Sequence, residues 1–445
     1  MAIQFLRAAL LVSAVALVPA ATAGIASADV TVSRDIERFV SVYERVKADY
    51  VEKLDDERLI KGAIDGMLAS LDPHSSYLDA RDFKQMQIST EGNYGGLGLV
   101  VSMEDGAVKV VAPQEDSPAS KMGIKPGDYI THLDGKLIYG GTLDEAVEQM
   151  RGVPGTSIRL TVVRTGRDKP FDVTVTRQII EIKPVKWEIR NGVGIINING
   201  FSKQTGAMTK AAVVSIEKAL GRKPFGYVID LRSNPGGLLD QAVEVSDVFL
   251  DRVEVVSQRG RDKRDIERYF AQPGDFANGL PIVVLVDSGS ASAAEIVAGA
   301  LQDHHRGLVL GERTFGKGSV QTLIPLDEKT ALRLTTARYY TPSGRSVQEG
   351  GIEPDITLPQ LSDPDYKARP RFREADLSRH LINEAKVDNS VLEADEKPDP
   401  RFKATPEELK AKGITDFQLH YAIETVSRLG RPKLAAAAPR KAVRR

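Results

Sequence analysis

The chain has 445 residues, 42% of them hydrophobic and 27% charged, enough to bury two or three cores and too apolar to remain unfolded. Its 61 acidic and 60 basic residues give a formal net charge of -1, so no global field favours nucleic acid or an acidic partner. It contains no cysteine, which excludes disulfides, thiol nucleophiles and thiolate metal sites.

Residues 1–28 read as an export signal. Arg7 supplies positive charge, residues 8–18 form an apolar run, and Ala26-Ser27-Ala28 makes a small-residue cleavage site before Asp29. The run is too short to span a bilayer as a helix, so the mature chain is expected to begin near Asp29 and to act in a bacterial periplasm. Residues 29–90 show helical spacing in IERFVSVYERVKADYV and ERLIKGAIDGMLASL, the second ending at Asp72-Pro73. This region could serve dimerisation, a lid or simple packing, and a homo-oligomer is expected.

Residues 91–178 open with YGGLGLVV and continue through SPASKMGIKPGDYITHLDG, where Gly127-Asp128 and Asp134-Gly135 fall at turns between apolar strands. The segment resembles a PDZ domain. By that resemblance Gly95, Gly96, Leu97, Gly98 and Leu99 match the loop whose backbone amides receive a terminal carboxylate, beside a strand to which an extended peptide adds. Arg151, in MRGVPGT, is a candidate for coupling this domain to its neighbour; the plainer reading is a surface arginine at a helix end.

Residues 179–360 alternate apolar runs with helical patterns: VGIINI, a helix near 209–220, YVIDL, a helix from 239 to 249, IVVLV, and a helix opening at Ser292. That order predicts an α/β fold with buried parallel strands. The stretch DLRSNPGG, residues 230–237, leaves a strand for a helix and places free amides near a helix N-terminus; Gly236-Gly237 otherwise reads as a tight turn.

The chemistry concentrates in DSGSASAAEIVAGALQD, residues 287–303, and GERTFGKGSVQ, residues 311–321. Ser292 follows an apolar strand and opens an Ala-rich helix, which exposes its hydroxyl on the turn. Lys317 lies between two glycines, and an amine desolvated among apolar neighbours can act as a general base for a serine. Gln321, four residues on, would share its strand face and hold the amine. Other readings compete. Ser292 and Glu295 have the spacing of a capping box. Residues 311–317 nearly spell a phosphate loop, but Gly318 stands where its Ser or Thr should be. His304 and His305 fall roughly three turns from Ser292, too far for a histidine triad.

The serine motif, with a lysine 25 residues later and a glutamine four beyond it, resembles the carboxyl-terminal processing peptidases, or tail-specific proteases. YGGLGL, DLRSNPGGLL and TTARYYTPSGRSVQEGGIEPDI agree, and the similarity covers roughly residues 35–360. The resemblance implies Ser292 as nucleophile, Lys317 as general base, Gln321 as the residue orienting the lysine, and the amides of Gly237 and Ala293 as the oxyanion hole, with Gly236 the near alternative. It also implies a crotonase-like α/β core with an inserted PDZ domain and N-terminal helices, and no metal or cofactor. Ala294 departs from the family, where serine is more usual.

The expected protein is an exported serine endopeptidase that binds proteins or peptides with apolar C-termini, with an adaptor as a further candidate partner and no nucleic acid. A PDZ scaffold with an inactive core is the competing class, and the intact Ser292, Lys317 and Gln321 set argues against it. Since a free lysine titrates near 10.4, keeping Lys317 neutral through a thousandfold change in proton affinity costs about 4 kcal/mol and calls for a dry site. Residues 361–445 turn polar and Pro-rich through Pro398-Asp399-Pro400, with a helix expected over 416–429 and a disordered basic tail. A contact of that tail with anionic lipid is the lesser reading beside a frayed terminus.

Overall fold

The structure is a computed structural model that describes residues 23–262, 264–366, 368–385 and 401–431. The apolar run of the export signal and the basic tail lie outside the described residues. The chain divides into two compact units, residues 1–67 and 68–445. The first holds helix α1 (Ala23–Asp49) and the start of α2 (Asp56–Ala69). The Lys47 ammonium pairs with Asp56 at 2.6 Å, while Val32, Ile36, Phe39 and Val46 of α1 are exposed. No described helix is long and apolar enough to cross a membrane.

The second unit opens with β1 (Ser76–Leu78), α3 (Ala80–Glu91) and β2 (Asn93–Gly96). A domain is inserted after β2: β3 (Leu99–Glu104), β4 (Ala107–Pro113), α4 (Pro118–Lys121), β5 (Tyr129–Leu133), β6 (Lys136–Leu137), α5 (Leu143–Met150), β7 (Ser157–Val163) and β8 (Phe171–Thr176). The chain leaves through β9 (Gln178–Glu181), which pairs antiparallel with β2 and so ties the two ends of the insertion together. The inserted sheet runs β3-β4-β5-β7-β8 and leaves β3 at an edge. Alternation builds it: Ile158, Leu160 and Val162 of β7 point into a core with Val108, Val110, Ile130 and Val175, while their neighbours face outward. Helix α5 begins at a complete capping box between Thr142 and Glu145.

The remaining elements are β10 (Val185–Arg190), β11 (Val193–Ile198), α6 (Thr205–Leu220), β12 (Tyr227–Asp230), α7 (Leu239–Asp247), β13 (Glu254–Arg259), β14 (Ile266–Phe270), β15 (Ile282–Val286), α8 (Ala293–Asp303), β16 (Leu308–Gly311), β17 (Ser319–Pro325), β18 (Ala331–Tyr340) and β19 (Ile356–Thr357), then α9 (Pro406–Ala411) and α10 (Phe417–Gly430). A six-stranded sheet orders them β10-β11-β12-β15-β16-β19. Only β10 is antiparallel to its neighbour.

All five residues of β15 are buried, as a parallel strand covered on both faces requires. Ile196, Ile198, Ile229, Val284 and Val286 face α6, α7 and α8. The alternate residues Ile195, Val228, Val283 and Leu285 face Leu419, Ala422, Ile423 and Val426 of α10. The helix expected over 416–429 is therefore a structural layer of the core, although its sequence lies beyond residue 360. A second sheet, β1-β18-β13-β14 with β17 also paired to β18, packs against α7 and α8 through β13 and β14. The architecture is the α/β core with inserted PDZ-type domain and N-terminal helices that the sequence predicts.

Candidate active site

Ser292 stands between β15 and α8 at φ 54° and ψ −114°, a backbone conformation that costs a non-glycine residue about 1–3 kcal/mol and persists only where surroundings enforce it. The enforcement is visible. Its N–H donates to the Glu295 carboxylate at 2.8 Å, and its carbonyl accepts from the N–H of Glu295 and Ile296 and from the Tyr339 hydroxyl at 3.1 Å. The capping spacing is thus half used: Glu295 caps the serine amide, but the serine hydroxyl makes no cap bond. It is half-buried, with no hydrogen-bond partner among the described residues.

Glu295 is fully buried and also accepts from Thr314 Oγ1 at 2.5 Å, Gly316 N at 2.7 Å and Lys317 N at 2.9 Å. Burial pushes its carboxyl up to about 7, against the pull of these donors. The single Tyr339 hydroxyl proton is shared between the Ser292 carbonyl and that of Lys317, which lies within hydrogen-bond reach as well. One carboxylate and one phenol therefore bind the backbones of both Ser292 and Lys317. Each flanking residue is held too: the Glu374 N–H donates to the Phe315 carbonyl, the Glu349 N–H to the Gly316 carbonyl, and the Gly318 N–H to Gln348 Oε1 at 3.0 Å.

The Lys317 amine has no hydrogen bond or ion pair among the described residues, and it is not bonded to the Ser292 hydroxyl. Burial and then the nearby Arg333 cation hold it below the ordinary lysine value, while Glu374, Glu295 and Asp72 oppose them. Gln321 is not on Lys317. The expectation of a shared strand face fails because Lys317 precedes β17, which begins only at Ser319. The Gln321 amide nitrogen donates to Ser319 Oγ at 2.9 Å and Thr335 Oγ1 at 3.2 Å.

The 230–237 loop lies against the serine. Asp287 accepts from Ser233 N at 2.7 Å, Ser290 Oγ donates to the Leu231 carbonyl at 2.8 Å, and Ala291 N donates to the Asn234 carbonyl at 2.9 Å. Gly236 has φ +96°, and a methyl there would meet Ser292 Cβ at 2.8 Å and Ala293 N at 3.0 Å. Its N–H is taken by Asn234 Oδ1 at 2.9 Å. By contrast, the N–H groups of Gly237 and Ala293 have no partner among the described residues. His304, at the far end of α8, contacts the Glu254 carbonyl at 2.7 Å.

In the inserted domain, the carbonyls of Leu97 and Gly98 accept from Ala119 and Gln114, and the N–H groups of both lack partners among the described residues. Gly95 closes against Gly152, whose N–H donates to its carbonyl at 3.1 Å. Gly96 ends β2, and Leu99 begins the edge strand β3. Arg151 caps the C-terminus of α5, donates to Gln85 Oε1 of α3 at 2.6 Å and lies 4.9 Å from the ring centroid of Tyr94. Sequence reasoning missed Tyr339, Asp72, Thr335 and Glu374, and took Glu295 only as a cap. The quoted TTARYYTPSG segment, which holds Thr335 and Tyr339, was the one available signal.

Residues 192–358 match the model of peptidase family S41, residues 109–164 that of a PDZ domain, and residues 14–82 that of the activating protease CtpB N-terminal domain. A carboxy-terminal-processing protease of Bartonella bacilliformis is 50% identical over 357 residues, 80% of this chain and 82% of the relative. The carboxy-terminal processing protease CtpA of Bacillus subtilis is 37% identical over 342 residues, 76% of this chain and 72% of the relative. Among solved structures, a photosystem II D1 C-terminal processing protease is 30% identical with a TM-score of 0.42, covering 72% of this chain and 86% of that one. The chain belongs to the carboxy-terminal-processing proteases, PDZ-containing serine peptidases of family S41.

Proposed function

We propose that the chain is an exported, periplasmic endopeptidase that holds substrate C-termini in its PDZ domain and cleaves upstream with a Ser292–Lys317 dyad. The observation that carries this reading is the double attachment of both backbones to Glu295 and Tyr339, beside a Ser292 hydroxyl and a desolvated Lys317 amine that have no partner among the described residues. Neutral Lys317 takes the Ser292 proton as Oγ adds to the scissile carbonyl. The new oxyanion accepts from the N–H groups of Gly237 and Ala293, each donor worth about 3 kcal/mol. The lysine ammonium then protonates the leaving amine, and after a water molecule takes its place Lys317 draws a proton from that water to release the acyl group. Gln321 steadies the amine through these transfers.

The free N–H groups of Leu97 and Gly98, beside the unpaired edge of β3, support capture of a terminal carboxylate with strand addition. Arg151 is proposed to couple that domain to the core, because it joins α5 to α3. Export rests on the Arg7, apolar and Ala26-Ser27-Ala28 pattern. Homo-oligomerisation and an adaptor belong to the same proposal. Incubating a peptide with a free apolar C-terminus with wild type, Ser292→Ala and Lys317→Ala tests the core of it: only the wild type should cut, and cleavage by either variant would refute the dyad.

A further inference from the structure

Beyond the dyad lies a polar chain that ends on a buried carboxylate. Asp72 is 4% exposed and accepts from the Ser75 hydroxyl at 2.8 Å, the Thr335 hydroxyl at 3.1 Å, and the N–H groups of His74 and Ser75 at 2.8 and 2.9 Å. Burial raises its proton affinity, but these donors outweigh that, and the carboxyl sits below its ordinary range. An ionised carboxylate can only accept. The Thr335 proton therefore points at Asp72, and the Thr335 oxygen is left only to accept.

What it accepts is the Gln321 amide, directly across the β17–β18 pairing. With Ser319 Oγ taking the second bond, both amide protons are spent. The Gln321 oxygen then has no partner among the described residues. A glutamine amide is ordinarily free to present either end, and here the fixed polarity of Asp72 and Thr335 selects one. That end is the acceptor a lysine ammonium needs once it has taken the serine proton. The Asp72 charge is also within electrostatic reach of Lys317.

We propose that Asp72 and Thr335 are positioning residues that fix the Gln321 amide with its oxygen free for Lys317. The inference rests on the Ser–Lys reading and extends it to two residues outside the serine and lysine segments. The test measures kcat and KM on a tailed peptide for Thr335→Val, Thr335→Ser, Gln321→Ala, the Thr335→Val/Gln321→Ala double variant, Asp72→Asn and Lys317→Ala. Thr335→Val should lower kcat by about tenfold or more at unchanged KM, the scale of a misplaced catalytic group, and Thr335→Ser should recover most of the loss. The double variant should be no slower than Gln321→Ala alone, since both changes remove the same function.

Should Thr335→Val fail to fold, Asp72→Asn, which keeps the shape but can donate to the threonine oxygen, should show the same drop and the same non-additivity with Gln321→Ala. Additive losses, or Thr335→Ser as slow as Thr335→Val, would overturn the inference. An active Lys317→Ala would sink the dyad and this inference with it. An inactive Lys317→Ala beside a fully active Thr335→Val would sink this inference alone.

Discussion

Gly236→Ala probes the contact that sets Ser292 against the 230–237 loop. At φ +96° an alanine bears a backbone cost of about 1–2 kcal/mol. Its methyl would lie 2.7 Å from the Ala291 carbonyl, 2.8 Å from Ser292 Cβ and 3.0 Å from Ala293 N, whereas ordinary carbon contacts begin near 3.5 Å. None of these atoms is the end of a flexible side chain, so the turn carrying Ser292 must retreat by roughly 0.5–1 Å. Overpacking of this kind costs about 1–3 kcal/mol, giving about 2–5 kcal/mol in all. A shift of that size at the reacting atoms should lower turnover by about a hundredfold. Gly279→Ala is the control: φ is +71° but nothing lies within 4 Å, so it should lose only the backbone cost of about 1–2 kcal/mol and keep its activity. Urea unfolding and kcat/KM on a tailed peptide measure both quantities. Gly236→Ala with near wild-type turnover and the stability loss of the control would refute the packing argument.

Other outcomes follow from the same geometry. With Lys317 as a base that acts when neutral, and its amine held below the ordinary 10.5, kcat should rise with pH and level off before that value. Arg333→Gln removes a cation that lowers it and should move the rise to higher pH; a profile that falls with pH, or a shift the other way, would contradict the base assignment. Amidating a substrate C-terminus should weaken binding by several-fold or more, about 1.5–3 kcal/mol for a hydrogen bond to a charged group, and equal Kd values for acid and amide peptides would exclude a carboxylate-binding loop. Asp416→Ala removes both the cap of α10 and the 2.8 Å ion pair with Arg232, and should cost about 2–4 kcal/mol in urea unfolding.

Much of this architecture was legible because its signals are local. IVVLV is a continuous apolar run, and both faces of that strand are buried. The Ser292 turn and the glycines around Lys317 likewise announce themselves in a dozen residues. What escaped reading depends on partners far along the chain. Asp72 and Thr335 are 263 residues apart and bond directly. The α10 helix shows an apolar stripe but no sign of which sheet it covers, and it proves to close the second face of the core. The shared strand face of Lys317 and Gln321 does not form because the strand begins only at Ser319, a boundary the sequence pattern does not mark. The capping spacing of Ser292 and Glu295 was ambiguous for a different reason: the positive φ of Ser292 turns its hydroxyl away from the cap while keeping Glu295 on its amide.

A serine made nucleophilic by Lys317 should react with an activated phosphonate where its neighbouring serines do not. Labelling the full chain with a fluorophosphonate and locating the adduct by mass spectrometry tests this most directly, in the wild type and in Lys317→Ala. A single adduct on Ser292 that disappears when Lys317 is replaced is expected; an adduct on Ser288 or Ser290, or undiminished labelling of Ser292 in Lys317→Ala, would refute the dyad.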